Sequence, residues 1–195
     1  MPRFMAAVAI ALTLLVSMLA VTGCGFRRGQ EDPYATYRPA MRAEFQHYLE
    51  ELEGAPEYAL TVELDPEESL MTGSGTIQVT NYSLDSWQEL VFRLYPMLDH
   101  YKGNLLVRGV TVDGSPVSFN YLNANTAIKV DLAEPLDPAD TLEVRMIWRL
   151  EYPTWSNSSS VYALYGKSQD MISLPLFYPS LAVYEDGPVP GTGDW

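Results

Sequence analysis

The chain has 195 residues, with 25 acidic against 12 basic side chains and a formal net charge of −13. With 47% hydrophobic and 19% charged residues, it has the balance of a folded domain, one with a short appendage, and not of a disordered segment. A pI near 4.4 excludes sequence-independent nucleic-acid binding and purely electrostatic attachment to an anionic membrane, both of which need a basic footprint. A single cysteine excludes an internal disulfide, and two histidines argue against a catalytic zinc site built within this chain.

Arg3 gives the N-terminus a positive start. Residues 4–21 (FMAAVAIALTLLVSMLAV) then run almost unbroken through apolar and small side chains. Such a run is read as a secretory signal or a transmembrane helix. It ends in Leu19-Ala20-Val21-Thr22-Gly23-Cys24, small residues before the only cysteine, and this resembles a bacterial lipoprotein signal. The resemblance implies cleavage after residue 23 and diacylglycerol on the Cys24 sulfur. An uncleaved anchor and an ordinary signal peptide are the alternatives. The expected organisation is a signal at 1–23, a tether and amphipathic helix at 24–57, and a β-sandwich domain at 58–195. The expected location is the extracytoplasmic side of a bacterial cell envelope, held by lipid. Acyl burial, worth about 0.8 kcal/mol per CH₂, supplies an anchoring that an acidic surface does not.

Within residues 33–54, Met41, Phe45, Tyr48, Leu49 and Leu52 recur at three- and four-residue spacing, which predicts a helix with one apolar face. Gly54 and Pro56 end it. From Tyr58 the period becomes two. Strands are predicted at 58–64, 70–82, 87–94, 105–112, 117–121, 126–132 and 141–152. Gly73 and Gly75 inside the second predict a bulge or a close backbone approach, the bulge being preferred. Asp113-Gly114 predicts a tight hairpin. On the last strand Leu142, Val144, Met146, Trp148 and Leu150 share one face, with Glu143, Arg145 and Arg149 on a solvated one. Seven strands and no helical crossovers predict an all-β fold, an antiparallel sandwich or curved saddle-like sheets. From Pro153 the chain turns irregular and aromatic, ending at Gly193-Asp194-Trp195.

No motif for catalysis stands in this sequence. There is no His-Glu-x-x-His, no Gly-x-Ser-x-Gly and no glycine-rich phosphate loop. Asp65, Glu67 and Glu68 are too close together for a calcium loop and read as a solvated turn. His47 reads as an ordinary helix side chain, and Asp99-His100 as loop packing. Asn81-Tyr82-Ser83 and Asn157-Ser158-Ser159 match glycosylation acceptors, but the lipoprotein signal points to bacteria.

Several stretches together carry a resemblance. Residues 58–66 (YALTVELDP), 70–73 (LMTG) and 79–83 (VTNYS), then 89–96 (ELVFRLYP), 110–117 (VTVDGSPV) and 126–136, resemble in order the N-terminal β domain of bacterial aminopeptidase N-type zinc metallopeptidases. Residues 177–184 (FYPSLAVY), with the later Gly193-Asp194-Trp195, resemble the stretch near the end of that domain. The resemblance implies a saddle-shaped β domain that packs on a thermolysin-like catalytic domain and helps wall the pocket for the substrate's N-terminus. Zinc and its ligands belong to that catalytic domain, so no catalytic, cofactor-binding or metal residue carries over. An acidic or amide side chain of the β domain can meet the substrate's amine, and Glu185 and Gln169 are the candidates here.

Three readings follow. The first is the non-catalytic N-terminal part of a membrane-anchored metallopeptidase, its β domain stopping early at Trp195. The second is a stand-alone cell-surface lipoprotein that binds a protein or ligand. The third is an enzyme with an unrecognised site, disfavoured because no nucleophile–base or ligand cluster stands out. On the first reading an unpaired edge is expected, with a docking patch near Phe177, Tyr178, Tyr184 and Trp195.

Overall fold

The computed structural model describes residue 32 and residues 34–52, 55–155, 165–168 and 171–195. Cys24 and the apolar segment before it, Gln169, and Asn157-Ser158-Ser159 lie outside the described residues. The chain divides into two compact units, Met1–Glu51 and Leu52–Trp195.

In the first unit the predicted helix forms, wound as 3₁₀ structure. One turn spans Arg38–Ala40, with Pro39 in its first turn, and a longer segment spans Ala43–Leu52. The 3₁₀ repeat is three residues, so side chains spaced by four drift off a common face. Leu49 is buried while Phe45, Tyr48 and Leu52 are exposed, so the expected single apolar face is not buried as one. Arg38 is ion-paired to Asp32, and its carbonyl accepts from Gln46 Nε2 (2.9 Å).

The second unit is an antiparallel sandwich. The described strands are β1 (Glu57–Asp65), β2 (Leu70–Thr80), β3 (Trp87–Arg93), β4 (Asn104–Val112), β5 (Ser115–Pro116), β6 (Phe119–Leu122), β7 (Ala127–Leu136), β8 (Thr141–Glu151), β9 (Thr154–Trp155), β10 (Gly166–Ser168), β11 (Met171–Ser173) and β12 (Ser180–Leu181). A five-stranded sheet has the order β1-β2-β8-β4-β5, and a four-stranded sheet the order β12-β3-β7-β6. A small third sheet, β11-β10-β9, holds one parallel pair, β9 with β10.

Alternation decides which residues go inside. Ile77, Val79, Leu142, Val144, Met146, Trp148 and Leu150 from the five-stranded sheet share one buried cluster with Leu90, Phe92, Ile128 and Val130 from the four-stranded sheet. The five predicted inward positions of β8 are all buried, while Arg145 is exposed and Glu143 and Arg149 are half-buried. Asp113 and Gly114 both have positive φ (47° and 79°), the geometry of a type I′ hairpin turn.

Gly73 and Gly75 do not form a bulge. The registers of β1 with β2 and of β2 with β8 run through them without a shift. Their function is clearance: a Cβ on Gly73 would lie 2.3 Å from the Trp148 indole, and one on Gly75 would lie 2.6 Å from Leu60 Cδ2. The register shifts fall instead between Val107 and Gly109 on β4 and between Trp87 and Glu89 on β3.

Alanine at these glycines gives a graded test. Gly73→Ala drives a methyl into a buried ring and is expected to cost about 3 kcal/mol, at the upper end of overpacking. Gly75→Ala meets the end of a flexible leucine and costs less. Gly109→Ala meets nothing within 4 Å and is expected to be near neutral. Urea denaturation of the three variants checks the order.

Candidate functional site

The site grows from one turn after β2. Asn81, Ser83 and Asp85 are the buried polar side chains among the described residues, and all three lie in it. Asn81 Nδ2 donates to the Asp85 carbonyl (2.7 Å) and the Leu136 carbonyl (2.8 Å), while Asn81 Oδ1 accepts from Ser83 N (2.9 Å) and Ser83 Oγ (2.8 Å). Burying so much polarity is tolerable because each group is paired. This pairing, not glycan attachment, is where Asn81 is engaged.

The turn presents the Asp85 carboxylate to the end of the chain. Asp85 Oδ1 accepts from Gly191 N (2.5 Å), and Oδ2 accepts from Gly193 N (3.0 Å) and Tyr184 Oη (2.9 Å). The N–H of Gly191, followed by that of Gly193, holds the Asp85 carboxyl below its usual value of 3.8, against the opposing effect of burial. Burial, then the hydrogen bond to Asp85 and its charge, pushes the Tyr184 phenol up from 10.0 to about 12, so it remains a donor at neutral pH. Gly191 has φ +81°, a conformation side chains resist, and a Cβ on Gly193 would lie 2.6 Å from the Tyr184 ring.

Around this anchor the last residues fold onto the four-stranded sheet. Ala182 N donates to the Val91 carbonyl (2.8 Å), and Glu185 and Asp194 exchange backbone hydrogen bonds (2.9 and 3.0 Å). Tyr184 N donates to Tyr82 Oη (2.7 Å), which donates on to the Tyr184 carbonyl (3.2 Å). Trp195 packs on Trp87 (ring centroids 4.8 Å) and Tyr184 (5.2 Å), and covers a small cluster of Val91, Ala127 and Ala182.

Beside Trp195 opens a cleft of about 610 Å³, lined among others by Arg93, Tyr95, Glu185, Asp186, Thr192 and Asp194. The lining is acidic in balance, three acidic residues against one arginine; Asp186 Oδ1 accepts from Leu84 N (3.1 Å) and Asp194 Oδ1 from Trp195 N (2.8 Å). Nothing in the cleft pairs a nucleophile with a base. Among the described residues no three His, Cys, Asp or Glu side chains come close enough to hold a metal ion.

Of the four predicted patch residues, all are half-buried against the main core. Ring contacts divide them in two: Phe177 and Tyr178 join Tyr58 (Tyr58–Tyr178 centroids 5.1 Å), while Tyr184 and Trp195 join Trp87. Glu185 lies on the cleft wall. Sequence reasoning gave no site role to Asp85, Arg93, Asp186 or Asp194, and met Asn81 only as a discounted glycosylation acceptor. The signal available was Asn-x-Ser-x-Asp just past a strand, together with Gly-x-Gly near the chain end.

No protein-family model matches this sequence, and no curated protein matches it. Among solved structures, the chain is similar to an M1 zinc metallopeptidase from Deinococcus radiodurans, at 23% identity and TM-score 0.39 over 49% of this chain and 19% of that one. It is similar to a two-domain M1 zinc metallopeptidase mutant bound to L-tryptophan, at 22% identity and TM-score 0.39 over 53% and 21%. A third is a Deinococcus radiodurans M1 zinc metallopeptidase mutant bound to a Tyr-Ser-Ala substrate, at 21% identity and TM-score 0.39 over 52% and 23%. The matched region spans about a fifth of those chains.

The Asp85 anchor predicts a pH dependence with a definite sign. A carboxyl with a lowered folded pKa adds stability above its unfolded value, and that stability is lost as pH falls through the folded value. Protection of the Gly191 and Gly193 amides, taken relative to the intrinsic exchange rate at each pH, is therefore expected to be high at neutral pH and to fall below about pH 4. In Asp85→Asn, exchange at these two amides is expected to be faster by about tenfold or more at pH 7, through loss of charge-assisted bonds, and to lose its acid step.

Proposed function

We propose that this chain is the non-catalytic N-terminal β domain of a membrane-anchored, aminopeptidase N-like metallopeptidase. On this reading it packs on a catalytic domain and shapes one side of the substrate site. The observation that carries the proposal is the acidic cleft: it lies on the stretch that resembles the end of the family's β domain, and Asp85 holds that stretch in place. Glu185, Asp186 and Asp194 offer negative charge to the ammonium of a peptide N-terminus, and the Trp195 indole offers a flat apolar neighbour. Zinc would serve the catalytic domain, polarising a peptide carbonyl and activating water. The residues described here do not fit a zinc site, and no chemical step is assigned to them.

Anchoring through Cys24 is part of the same proposal, supported by the small residues before it and by the long apolar run. Metabolic labelling with palmitate is expected to mark the wild-type chain and to leave Cys24→Ser unlabelled in the soluble fraction. Equal labelling of both would remove the anchor.

The domain assignment is tested on the DNA that follows the Trp195 codon. An open frame or neighbouring gene encoding His-Glu-x-x-His and a downstream Glu is expected. Its product, together with this chain, should cleave aminoacyl-nitroanilides in a chelator-sensitive manner. There Glu185→Gln should raise KM by about tenfold with a smaller effect on kcat. A stop with no such sequence nearby would contradict the assignment and favour a stand-alone binding lipoprotein.

A further inference from the structure

The edge of the five-stranded sheet formed by β1 is unusual for what it lacks. β1 is nine residues long and pairs with β2 along its whole length without a break. Among the described residues, no strand pairs with its other side. The opposite edge, β5, is only two residues long. Exposed edges are normally blunted by charged side chains, proline, bulges or shortness; β1 has no proline, lysine or bulge and is nine residues long, and the charges it carries are the carboxylates of Glu57, Glu63 and Asp65.

Its side chains point to a particular occupant. Tyr58, Leu60, Val62 and Leu64 share the core-facing side of the strand by alternation. Tyr58 and Leu60 pack against the core, but Val62 and Leu64 are 41% and 44% exposed. The other face carries Glu57, Glu63 and Asp65, with Glu67 and Glu68 in the following turn, and neither β1 nor β2 holds a lysine or arginine. Lys167 reaches only the turn, where its ammonium donates to the Pro66 carbonyl (2.7 Å). A second copy is a poor fit. In an antiparallel pairing centred on Thr61, Glu57 of each chain would face Asp65 of the other, and like charges directly opposite destabilise a pair. Each chain also carries a net charge of −13.

We propose that the free edge of β1 is a strand-addition site for an extended segment of a partner polypeptide in which basic and apolar residues alternate. Its main-chain groups complete the β1 ladder, its apolar side chains cover Val62 and Leu64, and its cations meet Glu57, Glu63 and Asp65. The inference concerns a different surface from the acidic cleft and does not rest on the domain assignment.

The test is amide hydrogen exchange on the full chain with a synthetic peptide of alternating lysine and valine. Three control peptides accompany it: a scramble of the same composition, and two forms N-methylated at alternate residues along one or the other edge. The expected result is exchange slowed by about tenfold or more at amides within residues 57–65, with β8 unchanged. Protection should be abolished by one methylated form and not the other, be absent with the scramble, and be lost in Glu57→Lys/Glu63→Lys. Absence of protection would overturn the proposal. Equal binding of the scramble and both methylated forms would reduce it to charge attraction and overturn it as well. Concentration-dependent protection of β1 without peptide, with a dimer in sedimentation, would name a second copy as the occupant and overturn the partner proposed here.

Discussion

The architecture around the cleft depends on a single buried carboxylate. Asp85 is 5% exposed, and its oxygens are satisfied by two backbone N–H groups and a phenol from the far end of the chain. A carboxylate removed from water is costly unless its lone pairs are met. The last residues close over it and supply those donors. The turn that carries Asp85 is itself fixed by Asn81, whose amide ties it to the end of β7. One polar hub thus joins β2, β3, β7 and the C-terminal segment, and sets Trp195, Glu185 and Asp194 where they stand.

The sandwich behind it is held by simpler means. Trp148 is 1% exposed and sits over two glycines that leave room for its ring. A large aromatic side chain brings much apolar area to the core, and here the neighbouring strand β2 makes room for it with Gly73, its direct cross-strand partner, and Gly75. The same glycines leave the β1–β2–β8 ladder continuous, so the edge at β1 runs nine residues without a break.

Much of the sandwich was legible in the sequence. The long strands could be read because one face of each is buried, and burial imposes a period of two on residues such as Leu142 to Leu150. The hairpin could be read because Asp113-Gly114 supplies two residues that accept positive φ. The short strands could not: β9 to β12 are two or three residues each, too brief for any alternation to register. The helix at Ala43–Leu52 could be read from its three- and four-residue spacing, but its 3₁₀ winding could not. Gly73 and Gly75 admitted two explanations, and only the position of Trp148, distant in sequence, selects between them. Asp85 escaped notice for a related reason. Two of its partners are backbone groups 106 and 108 residues away and the third is the Tyr184 phenol 99 residues away, so nothing local in the sequence ties them to it. Glu185 was reached only through resemblance, and its neighbours Asp186 and Asp194 gain meaning once the loop brings them to one cleft.

The most direct measurement of this account is the titration of the Asp85 carboxyl carbon by NMR, followed together with the amide protons of Gly191 and Gly193. The account predicts a midpoint below the ordinary carboxylate value of 3.8, with both glycine amides shifting along the same curve. A midpoint at or above that value, with the glycine amides unresponsive, would contradict it, because the C-terminal segment and its cleft would then be held by something other than this charge.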